Sequence, residues 1–344
     1  MADDQPDGRF RERGDERSSV LWFVLDADRW LVSGLFSALV LVGIVAIGTL
    51  HPTPARTLLT RGDPIETLYQ ALVTATITGV TLVLTLSQLV LSQELGAVGD
   101  QRERMEGAME FRADVADAVG AAASPAEPSA FLRSLVRATA EQAHAIEDAA
   151  EAESLDPELD ELLSTYLDSV IGNAESVASQ LDGAAFGEFD VVRAALNYNY
   201  SWKLYAGRRI RETYAGALPG TVDDELAELV ETLELFGPAR EHFKTLYFQW
   251  ELSTLSRTLL YVAVPALGVA ISALLFLDPQ DITGTTLGIA DSLLLVAVTT
   301  TVALLPFTIL LAYILRIVTV TKRTLSIGPF ILRETDRSVD VTWD

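Results

Sequence analysis

The residues best placed to do chemistry lie in one row within an apolar segment. Thr67, Ala71, Thr74, Thr78, Thr81, Thr85, Gln88 and Ser92 recur at alternating steps of four and three. At 3.6 residues per turn, those steps put all eight on one side of a helix. The remaining positions are mostly Leu, Val, Ile and Ala, with Gln70, Thr76 and Ser87 as further polar residues. A row of hydroxyls inside a membrane span has two uses. It lines a wet pathway, or it lets helices approach and hydrogen-bond across a dry seam. Thr74, Thr78, Thr81, Thr85 and Gln88 are the candidate pathway or helix-interface residues.

A second candidate is a basic island rich in aromatic residues. Lys203, Arg208, Arg209 and Arg211 are interleaved with Tyr198, Tyr200, Trp202, Tyr205 and Tyr214. The spacing of Tyr198, Trp202, Tyr205 and Arg209 predicts a shared helix face. Guanidinium groups beside aromatic rings can hold an anionic headgroup or a phosphorylated small molecule, and Trp202 with the four cations is the candidate set. The competing and commoner use is a bundle seam in which the arginines pair with local carboxylates.

Other chemistries lack their residues. Histidine occurs only at His51, His144 and His242, in three distant segments, so there is no i, i+4 metal pair. With no cysteine, disulfides, thiolate metal sites and a cysteine nucleophile are excluded. A calcium loop, a phosphate-binding loop and a dinucleotide fingerprint are missing as well. The expectation is a protein that is not an enzyme and carries no cofactor and no metal.

The elements that must position these residues follow from charge and hydropathy. The chain has 344 residues, a formal net charge of −23 and a hydrophobic fraction of 49%. These values are compatible because charge vanishes from four blocks and concentrates elsewhere. The uncharged blocks are Leu31–Leu50, Thr67–Gln93, Thr258–Leu277 and Ser292–Leu315, each long enough for a spanning helix, which needs about 20 residues. Within them, Pro265 and Pro306 are candidate kinks. Gly268 and Ser272 follow the first, and Thr299, Thr300 and Thr301 precede the second. No charged residue lies inside a block, which argues against proton relays and voltage sensing.

Basic residues set the orientation. Arg9, Arg11, Arg13, Arg17 and Arg29 precede the first span, and Arg316, Lys322, Arg323, Arg333 and Arg337 follow the fourth. The short loops hold only Arg56 and Arg61 in the first and none in the last. Both termini and the long middle segment are therefore expected in the cytoplasm, in a multi-pass protein of the cell membrane. Trp22, Phe23 and Trp30, with Tyr247, Phe248 and Trp250, suit interfacial belts at that face. The polar start has no early apolar core or cleavage site, so a cleaved signal peptide is not expected.

The expected layout is all-α. Residues 1–30 form a cytoplasmic tail with an interfacial segment, 31–93 two spans, 94–256 a helical bundle, 257–316 two more spans and 317–344 a second tail. The bundle segment has 31 acidic and 12 basic residues, a net charge of −19. Leu132, Val136, Thr139, Ala143, Ile146 and Ala150 form one helical stripe. Leu159, Leu163, Tyr166, Val170, Asn173, Val177 and Leu181 form another. Asp156 with Pro157, and Thr221 with Asp224, read as helix starts. Residues 124–128, Leu218-Pro219-Gly220 and Gly237-Pro238 read as breaks, which gives about four to six helices. The helix leaving the second span is expected to bend at Gly96 and Gly99.

The balance is also acidic and poor in lysine, with only Lys203, Lys244 and Lys322. It argues against a nucleic-acid footprint and has the style of extreme halophiles, where a Debye length of about 3 Å at 1 M salt screens carboxylate repulsion. Two stretches, Leu84-Thr85-Leu86-Ser87-Gln88-Leu89-Val90-Leu91-Ser92-Gln93-Glu94-Leu95-Gly96 and Phe236-Gly237-Pro238-Ala239-Arg240-Glu241-His242-Phe243, resemble segments of uncharacterised haloarchaeal membrane proteins. The order of two spans, cytoplasmic helices and two spans is similar to bestrophin-like families, whose oligomers surround an anion pore. That likeness is one of layout alone, without the pore motif. The implied partners are the lipid bilayer, further copies of the chain and a cytoplasmic protein. Two functions are expected from this reading: a channel-like oligomer whose second span faces the pathway, or a non-conducting sensor or scaffold.

Overall fold

The computed structural model describes residues 27–94, 96–184 and 189–324. Most of the two expected tails, including Trp22, Phe23 and the arginines at 9–17, 333 and 337, lies outside the described residues. Among the described residues the fold is all-α apart from one two-stranded ribbon. It divides into two compact units, one built mainly from Gly96–Phe248 and one from Arg17–Leu95 with Gln249–Val320.

The acidic unit forms where the apolar stripes predict. Helix α5 (Pro128–Ala152) and helix α6 (Pro157–Leu181) bury both stripes against each other. Each starts with proline in its first turn, where the missing N–H has no intrahelical partner to lose. The Glu127 carboxylate accepts from the Ala130 N–H at 2.8 Å, and Asp156 accepts from the Glu158 N–H at 3.0 Å. Asn173 departs from its stripe. It donates to the Asn197 carbonyl at 3.1 Å and accepts from the Asn199 N–H at 3.3 Å. This clips helix α7 (Phe189–Asn197) to the start of helix α8 (Tyr200–Thr213).

Three expected boundaries change. Helix α3 (Pro64–Glu94) does not bend into helix α4 (Val98–Ala118) but stops, and Ala97 is extended between them. Helix α9 (Gly220–Phe276) is continuous through Gly237-Pro238 and has 57 residues. Gly237 is there for packing, because an added Cβ would lie 3.0 Å from the Tyr200 ring. Pro238 forfeits the bond to the Glu234 carbonyl, but both residues are exposed, so water can take up the loss. The same helix starts at Gly220, so Thr221 lies in its first turn rather than at its cap, and nearby Asp223 binds Arg211 instead.

The apolar unit is made of helix α1 (Arg29–Leu50), the short helix α2 (Ala55–Thr60), α3, the C-terminal part of α9 and helix α10 (Asp291–Thr324). Among the described residues, four helices are long and apolar enough to cross a membrane: α1, α3 over Pro64–Ser92, α9, and α10 over Asp291–Thr321. Between α9 and α10, strands β1 (Thr285–Thr286) and β2 (Ile289–Ala290) form an antiparallel hairpin. Its turn residues Leu287 and Gly288 have φ of 54° and 79°, the left-handed pair that tight hairpins require.

Candidate functional site

Helix α3 packs on one side only. Ile65, Tyr69, Leu72, Thr76 and Val83 are buried, and they lie two positions off the hydroxyl row. Two residues at about 100° each amount to about 200°, so the packed face and the hydroxyl row are on opposite sides. Thr67, Ala71, Thr74, Thr78, Thr81, Thr85, Gln88 and Ser92 are all exposed. Within one chain the row is not a seam between spans.

The threonines are satisfied by their own helix. Thr74 donates to the Gln70 carbonyl at 2.9 Å, Thr78 to Thr74 at 2.8 Å, Thr81 to Ile77 at 2.8 Å and Thr85 to Thr81 at 2.9 Å. Each hydroxyl keeps an acceptor lone pair facing outward. Gln70 and Gln88 are exposed on the same side, and an amide carries more donors and acceptors than a returning hydroxyl can absorb.

The packed face uses different polar residues. The Tyr69 hydroxyl reaches Thr299 at 2.5 Å and Thr300 at 3.3 Å on α10. Thr308 on α10 meets Ser33 at 2.9 Å and Ser37 at 3.1 Å on α1, and Ser87 meets Ser256 on α9. Tyr69, Ser33 and Ser37 were not among the sequence candidates. The available signal was register, since Tyr69 falls in the four-three pattern of the apolar face. Close approach is visible at Gly48, where an added Cβ would lie 2.6 Å from Leu293. At one end of the unit, Arg29 pairs with Glu251 and stacks 4.9 Å from the Tyr313 ring centroid, while Arg316 donates to the Ala27 carbonyl at 2.8 Å. Pro265 and Pro306 both lie inside continuous helices. Beside Pro306, the Phe307 ring rests on the Gly79 backbone of α3.

The basic island does not present the expected common face. Tyr198 precedes α8, Trp202 is buried and Tyr205 is exposed. A shared face for these residues requires a helix that includes Tyr198, whereas α8 begins at Tyr200. The arginines meet the start of α9 and the outer surface. Arg211 forms a fork with Asp223 at 2.8 and 3.2 Å, Arg208 pairs with Glu234 at 2.5 Å, and Arg209 donates to the Tyr205 hydroxyl at 3.0 Å. Lys203 is fully buried, with Nζ 5.3 Å from the Tyr198 ring centroid. Burial disfavours its ammonium form and lowers its pKa to about 7. Gly207 makes room nearby, since an added Cβ would lie 2.7 Å from the Tyr166 hydroxyl. Burial likewise pushes the Tyr166 and Tyr198 hydroxyls well above their ordinary pKa.

Among the described residues, no group of three or more His, Asp or Glu side chains is arranged to hold a metal ion. No curated protein and no solved structure matches the chain. A protein-family profile does match, over residues 1–344. Since that is the whole length, the chain belongs to the family described as Family of unknown function (DUF7972).

Proposed function

We propose that this chain is an integral membrane protein whose copies assemble around a pathway lined by the hydroxyl row of α3. The observation that carries the reading is the placement of that row. In a helix whose opposite face is packed, eight residues in register, seven of them polar, are exposed along the whole apolar segment. Facing hydrocarbon, Gln70 and Gln88 would leave amide groups without water, which costs several kcal/mol per unsatisfied group. Water in a pathway removes that cost. The hydroxyl lone pairs supply a neutral lining, and no Asp, Glu, Lys or Arg interrupts Thr67–Gln93.

The arginine bias supports an orientation with the acidic helical unit and both termini in the cytoplasm. The carboxylate excess supports a surface adapted to high salt, where repulsion is screened. A second reading, a non-conducting sensor or scaffold, is favoured by one feature. The four threonines return their protons to their own helix, so the row can also sit in a dry seam between copies.

Liposomes containing the purified protein separate the two. Under the pathway reading, wild-type protein carries ion or small-solute flux. Thr78→Val with Thr81→Val removes two hydroxyls at nearly constant volume, favours dewetting and reduces flux while assembly persists. Wild-type protein that carries no flux across a range of salt and pH refutes the pathway and leaves the scaffold.

A further inference from the structure

Helix α4 carries a stripe that its own unit covers at one end only. Val98, Met105, Met109, Arg112 and Ala116 follow one another at steps of seven, four, three and four, which keeps all five on one side of the helix. Ala116 is buried and Arg112 donates to the Ser124 carbonyl at 2.7 Å, so the bundle closes over the last turns. At the other end, Val98, Met105 and Met109 are 81%, 65% and 60% exposed. Every residue from Val98 to Glu110 is exposed with them. A bare stretch of about three and a half turns is marginal in water, because packing rather than propensity holds most helices.

Charge on α4 is segregated about this stripe. At about 100° per residue, Asp100, Glu103, Glu106, Glu110, Asp114 and Asp117 all lie about 80° or more from its centre, while Arg102 and Arg112 lie within about 40°. In a unit so rich in carboxylates, this face has none. Arg102 meets Glu106 at 2.6 Å, an exposed pair one turn apart of a kind that contributes little and readily exchanges partners. The face therefore fits an occupant that is apolar at the same spacing and acidic opposite Arg102. A second copy of α4 is not that occupant, since aligned pairing sets Arg102 against Arg102.

The chain contains such a segment. Beyond α10, Leu332, Val339 and Trp343 repeat the steps of seven and four, and Asp336 stands where Arg102 stands in α4. Laid in the same direction, the two sequences oppose Val98 to Leu332, Arg102 to Asp336, Met105 to Val339 and Met109 to Trp343. Direction and reach agree with this register. The last turn of α10, Thr321–Thr324, belongs to the same compact unit as α4, and each enters that unit from the apolar one. The eight steps from Thr324 to Leu332 reach up to about 29 Å, and Gly328-Pro329 lets the chain turn between them. The N-terminal tail is a poorer match, because Phe10 is the one large apolar residue from Ala2 to Arg17 and lies between Arg9 and Arg11.

We infer that the segment Leu332–Trp343 docks along the open stripe of α4 in its own chain, in the same direction and in this register. The inference does not depend on a conducting pathway.

The test uses the full chain in detergent, where the absence of cysteine makes thiol cross-linking specific. Under mild oxidation, Met105→Cys with Val339→Cys should form an intrachain disulfide roughly tenfold faster than Met105→Cys with Val341→Cys, whose second thiol lies about 200° around a helix. Adding Arg102→Asp should slow the first pair several-fold, and adding Asp336→Arg as well should restore it. A second measurement needs no introduced thiol. Deleting residues 332–344 should raise amide hydrogen exchange over Val98–Glu110 roughly tenfold while α5 and α6 keep their protection. Cross-linking no faster than the control pair, or indifferent to the charges at 102 and 336, overturns the proposal. So does exchange unchanged by the deletion. A disulfide that joins two chains, read from the mass, overturns it and assigns the stripe to a second copy. Exchange that ignores the deletion but slows on anionic vesicles overturns it and assigns the stripe to a bilayer surface.

Discussion

The two compact units place polar and apolar side chains in opposite ways. In the acidic unit, Leu132, Leu163, Tyr166, Val170 and Phe236 are inside, while most of its carboxylates face outward. In the apolar unit, Ser33, Ser37, Thr76, Thr300, Thr308 and Glu251 are buried, while Leu39, Ile47, Leu50, Leu86 and Phe276 are exposed. The difference is what two solvents impose. Water drives apolar surface inward, whereas hydrocarbon gives no such drive, so helices there associate through close approach and interhelical hydrogen bonds. The outer side of α3 breaks the rule of its own unit, which is why it carries the functional proposal.

The largest expected effect tests that inversion directly. Val170→Asp puts an unpaired charge in the acidic unit's core and should cost about 3–5 kcal/mol or more. Hydrogen exchange over Gly96–Phe248 in the full chain should report the loss. Leu39→Asp is its mirror, at an exposed site of α1. In a water-facing position it would be nearly neutral, but in a bilayer it should cost about 3–4 kcal/mol. Loss of membrane insertion with Leu39→Asp supports the inversion, and normal insertion contradicts it.

A smaller effect comes from Lys203, a lysine fully buried in the acidic unit. Its folded pKa of about 7 lies below the ordinary value of 10.5. Between these, the unfolded chain binds a proton that the folded chain does not, so stability rises as pH is raised from about 7 towards 10. The slope has an upper bound of about 1.4 kcal/mol per pH unit. Below that window both states are protonated and the contribution is constant. Lys203→Met should flatten this slope in hydrogen exchange measured at several pH values, and an unchanged slope rules out Lys203 as its source.

Arg211→Gln removes the fork to Asp223, a partly exposed pair, and should cost about 0.2–1 kcal/mol, declining with salt. An effect of similar size belongs to the hydroxyl row. If it forms a seam between copies, Thr78→Val with Thr81→Val should weaken assembly by about 0.6 kcal/mol per lost interhelical bond. Analytical ultracentrifugation in detergent would detect this. Unaltered assembly with reduced flux places the row on the pathway instead.

Much of this molecule could be read without coordinates, because the relevant forces act over one or two turns. Uncharged length determines which segments can span. Four-three spacing determines which residues of α5 and α6 share a stripe, and Asp156 with Pro157 determines where α6 starts. The alignment of Thr74, Thr78, Thr81, Thr85 and Gln88 is also local, since a helix of period 3.6 leaves no other arrangement.

Tertiary structure decided what lies opposite each face. Whether the hydroxyl row turned inward or outward depended on Tyr69 finding Thr299 and Thr300, 230 and 231 residues away. Gly237-Pro238 stayed helical because the Tyr200 ring lies against Gly237 and Glu234 faces outward. Lys203 occupies a core position because α8 begins at Tyr200 and so turns that side of the helix inward. Each outcome depends on surfaces that the chain brings together from afar, and short-range periodicity carries no information about a partner so distant.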